Sequence, residues 1–265
     1  MQKASKMQMI KRGVILAGGE GTRLRPLTYV TNKHLLPIYD MPMIMHPLNT
    51  LRGFGIEEVG VVTGGEHISN FMGFLGSGKN FGVRFTYKVQ DGAKGIADAL
   101  LQMEDFFKGG KIVAILGDNL FEKVEAGERV FDDNNAYIFI KKVSDPQRFG
   151  VVAFDGNGDI GRIDEKPSKP ASDYAVTGLY VYPNDVFDFI RTLKPSARGE
   201  LEITDVNNHY LREGRLKIVK LSGYWSDAGT FESLLKATLL RAYAADRGRL
   251  EKIDKELARI IGEIE

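Results

Sequence analysis

Short apolar runs alternating with stretches of helical periodicity constrain this chain more than any other feature of its sequence. A short, continuously apolar run suits a strand buried on both faces, as in the middle of a parallel sheet. Residues 9–16 (MIKRGVIL) read as the first such strand, followed by glycine. Glu58–Thr63, Val83–Val89, Lys111–Leu116 and Ala136–Lys141 repeat the pattern. Met41–Arg52, Ile68–Leu75 and Gly95–Phe107 read as the intervening helices. This alternation predicts an α/β fold with a parallel core.

Past residue 149 the texture changes to shorter strands and turns. Asp155-Gly156-Asn157-Gly158 is hairpin chemistry, with glycine supplying positive φ. Asp155, Asn157 and Asp159 also have the spacing that opens a calcium loop, but Ile160 stands where that loop needs glycine and Lys166 where it needs glutamate. The hairpin is the better reading. Leu201–Glu213, Phe231–Ala244 and Gly248–Ile264 read as closing helices. The last carries Leu250, Ile253, Leu257, Ile260, Ile261 and Ile264 on one face, expected to dock on its own domain, with a subunit contact as the alternative. No repeat or linker divides the chain, so one domain over 9–240 is expected, with a polar extension at 1–8 and a terminal helix within 241–265.

Composition removes several functions. With 36 basic and 35 acidic residues the chain has no surplus of base for nucleic acid. It has no cysteine, which excludes disulfides, thiolate metal sites and a cysteine nucleophile. Its longest apolar runs, such as Ile112–Leu116, are too short to cross a bilayer. Lys11 and Arg12 break the first apolar run and spoil a signal-peptide core, so no membrane association and a cytoplasmic location are expected.

The segment Leu16-Ala17-Gly18-Gly19-Glu20-Gly21-Thr22-Arg23-Leu24-Arg25-Pro26 follows the first strand directly. Its glycines allow backbone N–H groups to converge on an anion, and Arg23 and Arg25 add forked donors for phosphate oxygens. It is not a P-loop, because Thr22-Arg23 follows Gly21 where that motif needs Lys-Ser/Thr. Leu24 stands where a dinucleotide fingerprint needs its third glycine, which argues against an oxidoreductase. Lys33, in Asn32-Lys33-His34, could reach the same phosphates, whereas His34 alone reads as a packing or surface histidine. Asp118 ends a predicted central strand, where open α/β sheets collect ligands. A carboxylate facing a phosphate site needs a cation between them, which points to Mg²⁺. Asp227 is a second candidate, with a helix N-cap as its plain alternative. Glu165 could accept from sugar hydroxyls and Lys166 and Arg198 could grip a second phosphate; taken singly, each reads first as surface charge.

Together, LAGGEGTRLRP, NKHLLPIYDMPMI, YKVQ, GIADAL, LGDN, RFGVV, DEKP, YAVTGLY, SARGELEITD and WSDAGT resemble the sugar-phosphate nucleotidylyltransferases over roughly 9–240, nearest their thymidylyl branch. The resemblance implies a doubly wound, mostly parallel, Rossmann-like nucleotide-binding sheet with a small β-rich sugar-binding insertion and C-terminal helices. It divides the domain into a nucleotide half (about 9–142) and a sugar half (about 143–230). It implies transfer of a nucleotidyl group from dTTP, or alternatively UTP, to glucose 1-phosphate with Mg²⁺, by a homo-oligomer (dimer or tetramer). A non-catalytic nucleotide-sugar-binding subunit is the third reading, disfavoured because such relatives tend to lose the metal acids or the signature arginine.

Carried onto this chain, the resemblance gives Leu16, Ala17, Gly18, Gly19, Gly21 and Thr22 to the nucleotide phosphates, and Gln90 and Gly95 to the pyrimidine. Arg23, assisted by Lys33, would neutralise the leaving pyrophosphate, and Asp118 and Asp227 would bind Mg²⁺. Asn119, Gly150, Glu165 and Val176 would line the sugar site, with Lys166 and Arg198 on its phosphate. His34 replaces a frequent glutamine near the base and Phe149 a frequent tyrosine near the sugar. The chain also stops short of the C-terminal extension with which long members form a second, regulatory nucleotide site, so altered or absent feedback control is expected. A saturable second site in a titration with dTDP-rhamnose would overturn that expectation.

Overall fold

The computed structural model describes residues 10–107, 109–124, 131, 134–246 and 252. The extension at 1–8 falls outside them, as does the expected helix over Gly248–Ile264 apart from Lys252. The chain runs β1 (Arg12–Ala17), β2 (Pro37–Ile38), β3 (Met41–Pro42), α1 (Met45–Gly53), β4 (Glu58–Gly64), α2 (Ile68–Leu75) and β5 (Arg84–Gln90). It continues through α3 (Ile96–Leu101), α4 (Glu104–Phe107), β6 (Ile112–Leu116), β7 (Asn119–Phe121), β8 (Ala136–Lys142), β9 (Gly150–Phe154) and β10 (Ile160–Glu165). It ends with β11 (Tyr174–Tyr182), α5 (Val186–Ile190), α6 (Ile203–Arg212), β12 (Leu216–Lys220), β13 (Trp225–Asp227) and α7 (Phe231–Ala245).

Strands β5, β4, β1 and β6 lie side by side and parallel. β11 then pairs antiparallel with β6 and leads to the β9–β10 hairpin on one branch and to β8 and β12 on the other. Both faces are buried, as the continuous apolar runs require. Val14 and Leu16 of β1, Ala114 of β6 and Tyr180 and Tyr182 of β11 enter one core with α3, α5 and α6. Ile15 and Ala17, Val113 and Ile115, and Leu179 and Val181 alternate onto the other, against α1 and α2. The sheet is therefore doubly wound.

Two expected helices differ. Met41–Pro42 is a strand paired with Pro37–Ile38, and the helix begins at Met45. Proline disfavours a helical conformation at the preceding residue, so Met41 extends. Gly95–Phe107 divides into α3 and α4, the chain turning at Gln102–Met103 with the Met103 side chain fully buried. The hairpin forms as expected: the Asp155 carboxylate accepts from the Asn157 and Asp159 amides, and Gly158 has φ 85°.

Candidate active site

The chain leaves the carboxyl edge of the sheet at Ala17. Gly21 takes a left-handed conformation (φ 66°) and opens a short turn over Thr22–Leu24, while the Thr28 hydroxyl donates to the Gly21 carbonyl at 2.9 Å. A Cβ at Gly21 would meet Thr28 Cγ2 at 2.8 Å, so both the dihedral and the packing require glycine. Gly18, Gly19 and Arg23 consequently wall a cleft of about 340 Å³.

Asp118 follows β6 into this cleft, and the Lys33 Nζ donates to its Oδ2 at 2.6 Å. Burial is the largest single influence and pushes the Asp118 carboxyl up, but the charges of Lys33 and His34 and the hydrogen bonds from Lys33 and Asn119 together outweigh it and hold the group well below the usual carboxylate range. Asn119 completes the support: its Nδ2 donates to Asp118 Oδ1 at 2.9 Å, and its Oδ1 accepts from the Gly178 amide (2.9 Å) and Trp225 Nε1 (2.7 Å). Gly178 is glycine for close approach, since a Cβ there would lie 2.6 Å from Leu116 Cγ.

Asp227 reaches the same place because β13 pairs antiparallel with β7, setting Asp227 opposite Asn119. Arg148, which sequence reasoning missed, donates from Nη2 to Asp227 Oδ2 at 2.7 Å and from Nη1 to Asp145 Oδ2 at 2.9 Å. Burial and the charge of Asp118 push the Asp227 carboxyl up. Asp227 is not the cap of α7; Thr230 is, in a reciprocal capping box with Ser233. A Cβ on Gly229 would stand 3.0 Å from Arg23 Nη2, 3.3 Å from Asp227 Oδ2 and 3.6 Å from Asp118 Oδ2, so all three groups meet at one spot. Two converging carboxylates fit Mg²⁺, which takes one or two acids and draws its other ligands from phosphate and water. No group of three or more acidic, histidine or cysteine side chains arranged for a metal exists among the described residues.

Gln90 ends β5 beside the glycine loop. Its Nε2 donates to the Gly95 carbonyl (3.0 Å) and to Asp98 Oδ2 (2.8 Å), leaving Oε1 over Gly18, where a Cβ would lie 2.5 Å away. Asp98, the other missed residue, orients that amide. In the second half of the chain, Gly150, Glu165, Lys166, Val176 and Arg198 line the same cleft. Lys166 adopts φ 43°, a conformation costly for a non-glycine residue and concentrated at functional sites. Arg198 donates to Glu202 (2.7 Å) and Glu165 (3.2 Å), and Thr204 Oγ1 to Glu165 Oε2 (2.5 Å). Among the expected site residues, Ala17, Gly21 and Thr22 do not line the cleft: Ala17 is buried in β1, and the other two shape the turn.

His34 is buried against the backbone at Gly117, where a Cβ would come within 2.6 Å of its ring, so the surface alternative is excluded. The Asn32 side-chain oxygen accepts from its Nδ1 at 2.7 Å, and burial, then Lys33, lowers its pKa to about 3. The unfolded chain binds a proton near pH 6.5 that the folded chain refuses until about pH 3, so stability falls on acidification between those values. The loss is up to about 1.4 kcal/mol per pH unit. Thermal unfolding from pH 7 to 4 is expected to show a falling midpoint, with a shallower slope in His34→Gln; equal slopes would remove His34 as a cause.

Nucleotidyl transferase is the family that matches residues 12–242. The chain belongs to it. This nucleotidyl transferase is 46% identical over 232 residues to the glucose-1-phosphate thymidylyltransferase of Neisseria gonorrhoeae, covering 85% of this chain and 81% of that one. It is 41% identical over 260 residues to the enzyme of that name from Mycobacterium tuberculosis, covering 96% and 90%. A Bacillus anthracis crystal structure with sucrose bound, described as a glucose-1-phosphate thymidylyltransferase, superposes with TM-score 0.83 at 49% identity, covering 87% and 95%. A UDP-glucose pyrophosphorylase complexed with UDP-glucose superposes with TM-score 0.76 at 25% identity, covering 88% and 98%. No helix among the described residues is long and apolar enough to cross a membrane.

Proposed function

We propose that this cleft transfers a nucleotidyl group from dTTP to glucose 1-phosphate, giving dTDP-glucose and pyrophosphate. The observation that carries the reading is the shared cleft: glycine loop, Arg23 and Lys33 from the first half face the same space as Glu165, Lys166 and Arg198 from the second. The named activity of the relatives from Neisseria gonorrhoeae and Mycobacterium tuberculosis supports the substrate pair.

A phosphate nucleophile is already ionised at neutral pH, so the site needs no general base, and catalysis rests on positioning and charge. Lys166 and Arg198 hold the sugar phosphate so that its oxygen attacks the α-phosphorus in line, while Glu165 accepts from a sugar hydroxyl. Gly18 and Gly19 cradle the triphosphate, and Arg23 and Lys33 neutralise the pyrophosphate as its bond to the α-phosphorus breaks. Asp118 and Asp227 would hold Mg²⁺, which would supply charge stabilisation to the nucleotide phosphates. The presence and convergence of Arg23, Lys33, Asp118 and Asp227 favour an enzyme over a binding-only subunit.

Gln90 supports a pyrimidine with an N3–H. Its amide donor is occupied by Gly95 and Asp98, so Oε1 is the atom offered to the base. Thymine and uracil both donate from N3, which keeps UTP as the second reading. Pyrophosphate release with Mg²⁺, glucose 1-phosphate and either dTTP or UTP separates them. A dTTP preference in kcat/KM of about tenfold or more is expected, the discrimination one methyl group provides in an apolar pocket. A UTP preference moves the chain to the uridylyl reading, and release with neither nucleotide overturns the pair.

A further inference from the structure

Each acid of the candidate metal pair already holds one cationic side chain. Asp118 holds Lys33 at 2.6 Å, and Asp227 holds Arg148 at 2.7 Å. Nothing in the proposed transfer uses Arg148, yet it lines the cleft and its side chain is about 29% exposed. Its guanidinium is placed by three contacts: Asp145 at 2.9 Å, Asp227 at 2.7 Å, and the Phe149 ring, whose centroid lies 5.0 Å away. Phe149 in turn packs edge-on against Trp225, with centroids 5.0 Å apart. Trp225 donates to Asn119, and Asn119 to Asp118, so these contacts link one acid to the other. Two carboxylates gathered in a half-closed cleft repel each other, and a fixed cation on Asp227 offsets that repulsion.

We propose that Arg148 is a placeholder for the divalent cation: it occupies and aims the Asp227 carboxylate while the cation is absent, and yields it when the cation binds. Asp145 and the Phe149 face retain the guanidinium once Asp227 is released. Arg148 is on this view a positioning residue that competes with the metal. The proposal rests on reading Asp118 and Asp227 as the metal pair. A purely structural Arg148, one that merely holds Asp227 in place, predicts the opposite sign: its removal would misplace a ligand and weaken metal binding.

The test is Mn²⁺ binding to the nucleotide-free protein, followed by loss of the free-ion electron paramagnetic resonance signal. Arg148→Ala and Arg148→Gln, two variants in case one fails to fold, are expected to bind Mn²⁺ about tenfold more tightly than wild type, since a charge-assisted competitor is gone. Arg148→Lys, which keeps the charge, should return affinity toward the wild-type value. Unchanged or weaker binding in both neutral variants overturns the placeholder. Asp118→Asn and Asp227→Asn are the controls for the underlying reading: each should weaken binding about tenfold. If neither does, or if neither wild type nor Arg148→Ala binds Mn²⁺, the metal reading fails and the placeholder with it. Trp225 is the chain's one tryptophan and packs on Phe149, so a Mg²⁺ titration of its emission reads the shift of Arg148 on the Phe149 face as it releases Asp227. Emission should change in wild type and stay constant in Arg148→Ala; the same change in both proteins overturns the release.

Discussion

Arg23→Ala is expected to lower kcat for pyrophosphate release by about 10²–10⁴-fold while leaving the unfolding midpoint within about 2 °C of wild type. The two outcomes separate because of where the side chain sits. Arg23 is exposed, makes no hydrogen bond or ion pair to the protein among the described residues, and reaches the point where Asp118 and Asp227 converge. Removing an exposed side chain without partners changes stability by a few tenths of a kcal/mol at most. Removing the permanent charge beside a departing pyrophosphate withdraws stabilisation that exists chiefly in the transition state. Arg23→Lys should recover only part of the loss, because an ammonium lacks the planar fork that grips two phosphate oxygens. Turnover within a few-fold of wild type in Arg23→Ala would take this residue out of the mechanism.

Asp118→Asn should fail in a different way, losing activity and stability together. Lys33 and Asp118 are about 12% and 13% exposed, and their 2.6 Å contact gives each charge its partner. An asparagine would leave the Lys33 ammonium largely enclosed beside a neutral amide, at a cost of about 1–3 kcal/mol after allowing for residual solvent access. It would also disturb the bond from Asn119, and with it the supports that Gly178 and Trp225 give to Asn119. Turnover should fall by about 10²-fold or more, because the carboxylate is both the partner of Lys33 and half of the metal pair. Asp118→Asn combined with Lys33→Met should regain stability without regaining activity, since both buried charges are then gone. Regained activity in the double variant would show that the pair matters for folding alone.

The two variants also mark what could be read from residue order. The glycine loop was legible because three glycines and two arginines after an apolar strand have few other uses. The parallel core was legible because strands buried on both faces must be continuously apolar at their centres, and β1 (Val14–Ala17), β4 (Val59–Val62) and β6 (Ile112–Leu116) are. Asp118 stood out through its position at a strand end. Arg148 and Asp98 gave no signal: a lone arginine before Phe149 and a lone aspartate in a helix are ordinary surface residues until their partners are known. The plain alternative for Asp227 was settled only when Thr230 proved to be the cap. The strand at Met41–Pro42 was hidden because a two-residue pairing is too short to leave a period.

By itself, then, the sequence determined the alternation of long strands and helices in the first half of the chain, the burial of both sheet faces and the chemistry of the loop, all of which follow from local composition and periodicity. Tertiary structure alone decided which charges meet. The β7–β13 pairing brings Asp227 opposite Asn119, and the turn at Lys33–Leu35 delivers Lys33 to Asp118. Those pairings depend on how distant strands register, and an ion pair over such a separation leaves no periodic trace in either partner's neighbourhood. The charge state of each acid follows the same rule, because it is set by the cation the fold brings to it and by the water the fold excludes.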